Sequence, residues 1–161
     1  SYECPPGFRG LRREDCMKCP YRIEEDEIKN VLSSALRNNG WTVKHISWGR
    51  EHGPDIVAVH EDFGEIVIEA KGEGTRPEMR RNYFLITLGQ LLMRLHDPPY
   101  FKRYGIALPG YRQFAELIVK LPMWVKNELM LEFFLVKHVP GGYEIAHISY
   151  RIPGPKYVTF P

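Results

Sequence analysis

Apolar positions along the chain recur first at helical spacing and then at a spacing of two. Ile28, Val31, Leu32, Ala35 and Leu36 follow a 3.6-residue repeat, and Asn38-Asn39-Gly40 supplies a stop, which predicts a helix over 24–39. Trp41 to Trp48 alternates and predicts a first strand with Trp41, Val43 and Ile46 toward the core. Two short β-branched runs follow, Ile56 to Val59 and Glu65 to Ala70, each bounded by Gly or Pro and joined by Glu61-Asp62-Phe63-Gly64, the pattern of a hairpin. Beyond it the spacing predicts an apolar helix over 82–96, broken by Pro98-Pro99, and a buried strand over 104–108. An amphipathic helix over 111–121, a helical turn at Trp124 and strands over 131–136 and 143–149 come next, and the proline-bearing tail reads as extended. This order implies an α/β fold, a mixed central β-sheet with helices on both faces.

The hairpin carries three charges that its apolar arms do not explain. A three-residue loop over 62–64, with Gly64 in the left-handed region, pairs Glu61 with Glu65, Val57 with Glu69 and Asp55 with Lys71. Because side chains alternate, Asp55, Glu69 and Lys71 then share one face with Val57, Val59 and Val67. Ile56, Ala58, Ile66, Ile68 and Ala70 share the other. Strands apolar on both faces lie inside a covered sheet, where charges are costly unless paired or bound to an ion. Two carboxylates close together repel, and a divalent cation removes that conflict. Hard oxygen ligands indicate Mg²⁺ (or Mn²⁺) rather than Zn²⁺, and a lysine beside them can hold or polarise an attacking water. A lone Glu-x-Lys is usually a solvated strand end; the Pro54-Asp55 pair on the partner arm separates this case from that one.

Pro54-Asp55 followed by Glu69-Ala70-Lys71 on the next strand resembles the PD-(D/E)XK nuclease superfamily, also called restriction-endonuclease-like. The resemblance covers roughly residues 22–108 and implies an αβββαβ core. It implies that Asp55 and Glu69 bind the metal, that Ala70 adds its backbone carbonyl, and that Lys71 assists the water attacking a DNA phosphodiester. It also favours Glu25 over Glu24 as the acid from the first helix, and Gln90 as a polar residue of the second helix directed at the site. From the residues alone, acids at 24–27 suit the helix dipole, and Thr87, Gln90 and Arg94 form either a surface stripe or a strip aimed at the site. The superfamily holds many activities, so a reaction type is implied and a substrate is not.

The 161 residues suit one core, with 43% hydrophobic and 26% charged residues in ordinary globular proportion. A net charge of +2 neither excludes nucleic acid nor advertises it. Arg50 and His52 in the loop before Pro54, and Arg76, Arg80 and Arg81 after the motif, are either phosphate contacts or solvated charges. No run of 18 apolar residues predicts a membrane span, and no secretory leader is visible, so an intracellular, cytoplasmic setting is expected. A monomer and a homodimer are both open.

Residues 1–21 read as a separate Cys-containing segment ahead of a nuclease-like domain over 22–161. Cys16-x-x-Cys19 has knuckle spacing, and Cys4 makes three thiols, one short of a zinc site unless His45 or His52 completes it. Zn²⁺ at Cys4, Cys16 and Cys19, and three free thiols, are equal readings. For function, the leading expectation is a Mg²⁺-dependent nuclease acting on DNA. The alternatives are a catalytically inactive nuclease-fold module binding nucleic acid or protein, and a zinc-knuckle interaction protein.

Overall fold

The computed structural model describes residues 23–73, 77–151 and 156–157. Their elements are α1 (Glu25–Asn38), β1 (Thr42–Ile46), β2 (Ile56–His60), β3 (Gly64–Ala70), α2 (Arg80–Leu92), β4 (Lys102–Pro109), α3 (Arg112–Lys120), α4 (Met123–Glu128), β5 (Glu132–Val139), β6 (Gly142–Ser149) and β7 (Lys156–Tyr157). The seven strands form one sheet in sequence order. β1, β2 and β3 run antiparallel, β3, β4 and β5 parallel, and β5, β6 and β7 antiparallel. The mixed sheet and its opening αβββαβ order are those expected from the sequence.

Each face of the sheet has its own core. Ile28, Leu32 and Leu36 of α1 pack on Ile56, Ala58, Ile66 and Ile68, the set that alternation assigned to one side. Phe84 and Leu91 of α2, with Phe114 and Ile118 of α3, pack on Val67, Ile106, Leu108 and Phe133 on the other. β3 is therefore covered on both sides, which is why its residues 66–70 are all buried. α2 is displaced from the expected 82–96. It starts earlier, led in by a 3-10 turn at Pro77–Met79, and ends at Leu92.

The hairpin register differs from the expected one by two residues. His60 pairs with Gly64 and Ile56 with Ile68, so the loop is 61–63. Gly64 does take a left-handed conformation (φ 77°), but as the first residue of the ladder rather than the last of the loop. An even slip leaves every side chain on its predicted face. It puts Asp55, one step beyond Ile56, across from Glu69 instead of Lys71.

Candidate active site

Asp55 is fixed where the chain enters β2. The Ser47 N–H donates to the Asp55 carbonyl (2.9 Å), and the buried Ser47 hydroxyl donates to the Pro54 carbonyl (2.9 Å) and lies 2.8 Å from His45 Nε2. From there Asp55 Oδ2 accepts the Ala70 N–H (2.8 Å), and Oδ1 lies 3.2 Å from Lys29 Nζ. This crossed hydrogen bond ties the start of β2 to the end of β3. It is the reason a short Pro-Asp and a Glu-Ala-Lys on separate strands meet.

Glu69 is 3% exposed. Arg94, just past α2, donates to its Oε1 (2.9 Å), and its carboxyl neighbours that of Asp55 in the same cleft. Burial, then the neighbouring Asp55 carboxyl, push the Glu69 carboxyl up to about 7, with Arg94 opposing them. Near neutral pH this carboxyl is poised between holding a proton and releasing it.

Lys71 leaves the sheet at the cleft mouth, one third exposed, with Nζ 3.6 Å from Glu25 Oε1 and 5.3 Å from the centre of the Tyr83 ring. Its N–H still bonds the Ala107 carbonyl (3.0 Å), so its backbone is held by β4. The other Glu25 oxygen accepts from Lys29 (3.1 Å), so one carboxylate spans two lysines. Of the two candidate acids, Glu25 faces the site. Glu24 is the exposed N-cap residue, its N–H donating to Glu27 (3.4 Å).

Lys29 was not foreseen from the sequence. It is fully buried, donates to the Ser47 carbonyl (2.7 Å), and lies within 3.6 Å of Glu25, Asp26 and Asp55. Burial alone would lower its pKa, but the Asp55 and Glu25 carboxylates outweigh that and raise it, so Lys29 stays charged. A signal existed. Lys29 follows Glu25 by one helical turn and adjoins Ile28 on the apolar side of α1.

These residues surround a cleft of about 270 Å³ lined by Glu25, Asp55, Glu69, Ala70, Lys71 and Gln90. Glu51, His52 and Arg94 also line it, whereas Arg50 does not. In the strip expected on the second helix, Gln90 and Arg94 reach the cleft, while Thr87 is buried and donates to the Tyr83 carbonyl (2.7 Å). Arg80 is no phosphate contact. It is buried, ion-paired with Glu73 and stacked 4.4 Å from the centre of the Tyr111 ring. Arg76 and the cysteines Cys4, Cys16 and Cys19 lie outside the described residues.

The carboxylate pair suits a hard divalent cation. Asp55 and Glu69 present only oxygen donors, and their mutual repulsion is what a cation relieves. Among the described residues no group of three or more His, Cys, Asp or Glu is placed to hold a metal ion. Two carboxylates with no third side-chain ligand would fit the sparse protein ligation typical of Mg²⁺ better than a Ca²⁺ cage or a Zn²⁺ site.

Among the described residues, no helix is long and apolar enough to cross a membrane. No family model matches the chain, and no curated protein matches it in sequence. Two solved structures are similar to it. One is an XisH family protein from Nostoc punctiforme PCC 73102, 20% identical over 68% of this chain and 90% of that one, with a TM-score of 0.44. The other is an fdxN element excision controlling factor protein from Anabaena variabilis, 17% identical over 70% of this chain and 91% of that one, also at 0.44. A likeness of this size carries nothing about activity.

Proposed function

We propose that this chain is a divalent-metal-dependent nuclease that hydrolyses phosphodiester bonds of DNA. The observation carrying the proposal is the meeting of Asp55 and Glu69 in a polar cleft with Lys71 at its mouth. Asp55, Glu69 and the Ala70 carbonyl would hold Mg²⁺ or Mn²⁺. Bound there, such an ion polarises a phosphoryl oxygen and lowers the pKa of its water. Lys71 orients the attacking water by donating to it and offsets the charge gathering on the phosphate. Glu25 holds the Lys71 ammonium in place, and Lys29 holds Asp55. Arg94, partly exposed on Glu69, is within reach of a phosphate oxygen entering the cleft, and Gln90 lines the same wall.

The test is Mg²⁺-dependent cleavage of linear, branched and single-stranded DNA by the full chain. Activity is expected in the wild type and is lost in Lys71→Ala and Asp55→Asn with the circular dichroism spectrum unchanged. Cleavage that persists in Lys71→Ala refutes the assignment.

One observation favours a second reading, a nuclease-fold module without catalysis. Each acid already has a cationic partner, Asp55 with Lys29, Glu69 with Arg94 and Glu25 with Lys71. Mn²⁺ titration calorimetry separates the two, since a module shows no binding that Asp55→Asn and Glu69→Gln abolish.

A further inference from the structure

Helix α2 is apolar on the side turned away from the sheet as well as on the side packed against it. Leu85, Ile86, Leu92 and Met93 are 48, 52, 47 and 77% exposed, while Phe84 and Leu91 are buried in the core. At 100° per residue the four exposed side chains and Gly89 fall within a strip roughly 120° wide, which the exposed Asn82 enters near its N-terminal end. An exposed apolar strip of this extent on a helix normally has a partner. The strip is also symmetric about Gly89. Leu85 and Ile86 stand four and three residues before it, and Leu92 and Met93 three and four after it. A Cβ built at Gly89 meets nothing within 4 Å, so the helix backbone is open to close approach at the centre of the strip.

We propose that this strip is where two copies of the chain pair, α2 against α2, antiparallel about a two-fold axis at Gly89. In that arrangement Leu85 faces the partner's Met93, Ile86 faces the partner's Leu92, and one patch serves both copies, as a two-fold interface requires. A strip spaced evenly about one residue can meet a copy of itself in register when the two helices pair antiparallel. The area agrees. The four side chains expose on the order of 400 Å² of apolar surface, and a polar rim in the usual interfacial proportion brings each copy to roughly 700 Å², near the ~800 Å² per partner of stable complexes.

Sedimentation equilibrium of the full chain at micromolar concentration is the test. The wild type is expected at twice the chain mass. Leu85→Lys and Met93→Glu are each expected at the single mass with unchanged circular dichroism. The double variant Leu85→Lys/Met93→Glu is expected to recover the doubled mass, because each introduced lysine meets an introduced glutamate across the axis. A wild type at the single mass overturns the proposal. If its melting temperature also falls in Leu85→Lys, a segment of the same chain covers the strip. A double variant that stays at the single mass overturns the antiparallel pairing about Gly89.

Discussion

A Cβ added to Gly72 would lie 2.2 Å from the amide nitrogen of Glu25, in space that the first turn of α1 already fills. The residue after Lys71 is therefore glycine for a steric reason. The end of β3 runs against the start of α1, with the Glu73 N–H bonded to the Ile23 carbonyl (2.8 Å), and this contact sets the Glu25 carboxylate beside Lys71.

Gly72→Ala should accordingly push the first turn of α1 away and open the Glu25–Lys71 contact. The loss of stability is expected to be about 2 kcal/mol, as for other overpacking changes. Cleavage should fall at least about tenfold, since misplacement near 1 Å disables a catalytic group. Urea unfolding and a cleavage assay on one preparation check both, and an unimpaired rate would show that Glu25 does not position Lys71.

Lys29→Met tests the buried lysine. The substitution leaves the Ser47 carbonyl and Asp55 Oδ1 without their ammonium partner while nearly preserving volume. Breaking a buried pair from one side typically costs about 3 to 5 kcal/mol, and the partial exposure of Asp55 places this case at the lower end. The drop should appear in urea unfolding and be largely absent in Lys29→Met/Asp55→Asn, where the stranded charge is gone.

The sequence reveals the site more fully than the forces holding it. Alternation in the two arms separates Ile56, Ala58, Ile66 and Ile68 from Val57 and Val67 because a covered sheet has only two sides. The register was not legible, because Gly64 can close the loop or open the ladder with the same backbone conformation. Asp55 and Glu69 stayed together only because the slip was even. Lys29 was hidden by a general expectation that a lysine amid acids on a helix is solvated, and Arg80 by the same expectation for arginine in a loop. Both are buried because a carboxylate meets each, Asp55 for Lys29 across the fold and Glu73 for Arg80 seven residues back along the chain, and neither pairing falls within one helix or strand; for Lys29 only its one-turn spacing from Glu25 was visible.

The raised Glu69 pKa makes the metal-free protein less stable as pH rises. The folded state holds a proton that the unfolded chain releases near 4.5, so stability is full below that pH and is lost as pH climbs through about 7. The loss amounts to at most about 3 kcal/mol for a shift of this size. Melting curves in EDTA between pH 5 and 8 should show the decline, and Glu69→Gln should flatten it. Mg²⁺ should restore stability at pH 8 in the wild type but not in Glu69→Gln. A wild-type slope equal to that of Glu69→Gln would contradict the placement of this carboxyl.

A second buried charge cluster, remote from the cleft, should behave differently. Glu132 on β5 is fully buried, and accepts from Arg103 Nε on β4 (2.7 Å) and lies 2.9 Å from His147 Nε2 on β6. Burial pushes the Glu132 carboxyl up, but Arg103 and His147 outweigh it and hold the pKa below the usual range. The pair thus stabilises the fold above about pH 4.5, and that stability is lost as pH falls further. Arg103→Met strands the carboxylate and should cost about 3 to 5 kcal/mol at pH 7, whereas Arg103→Met/Glu132→Met should recover much of it, because two apolar side chains leave no charge to desolvate. Arg103 pairs with Ile66, four residues along β3 from Ala70, so the cluster lies about 13 Å from the cleft at the rise of a strand. Mn²⁺ affinity in the double variant should therefore match the wild type. Unfolding and metal titration on the same protein decide whether the two charge clusters are independent, and a changed affinity would show that they are coupled through β3 and β4.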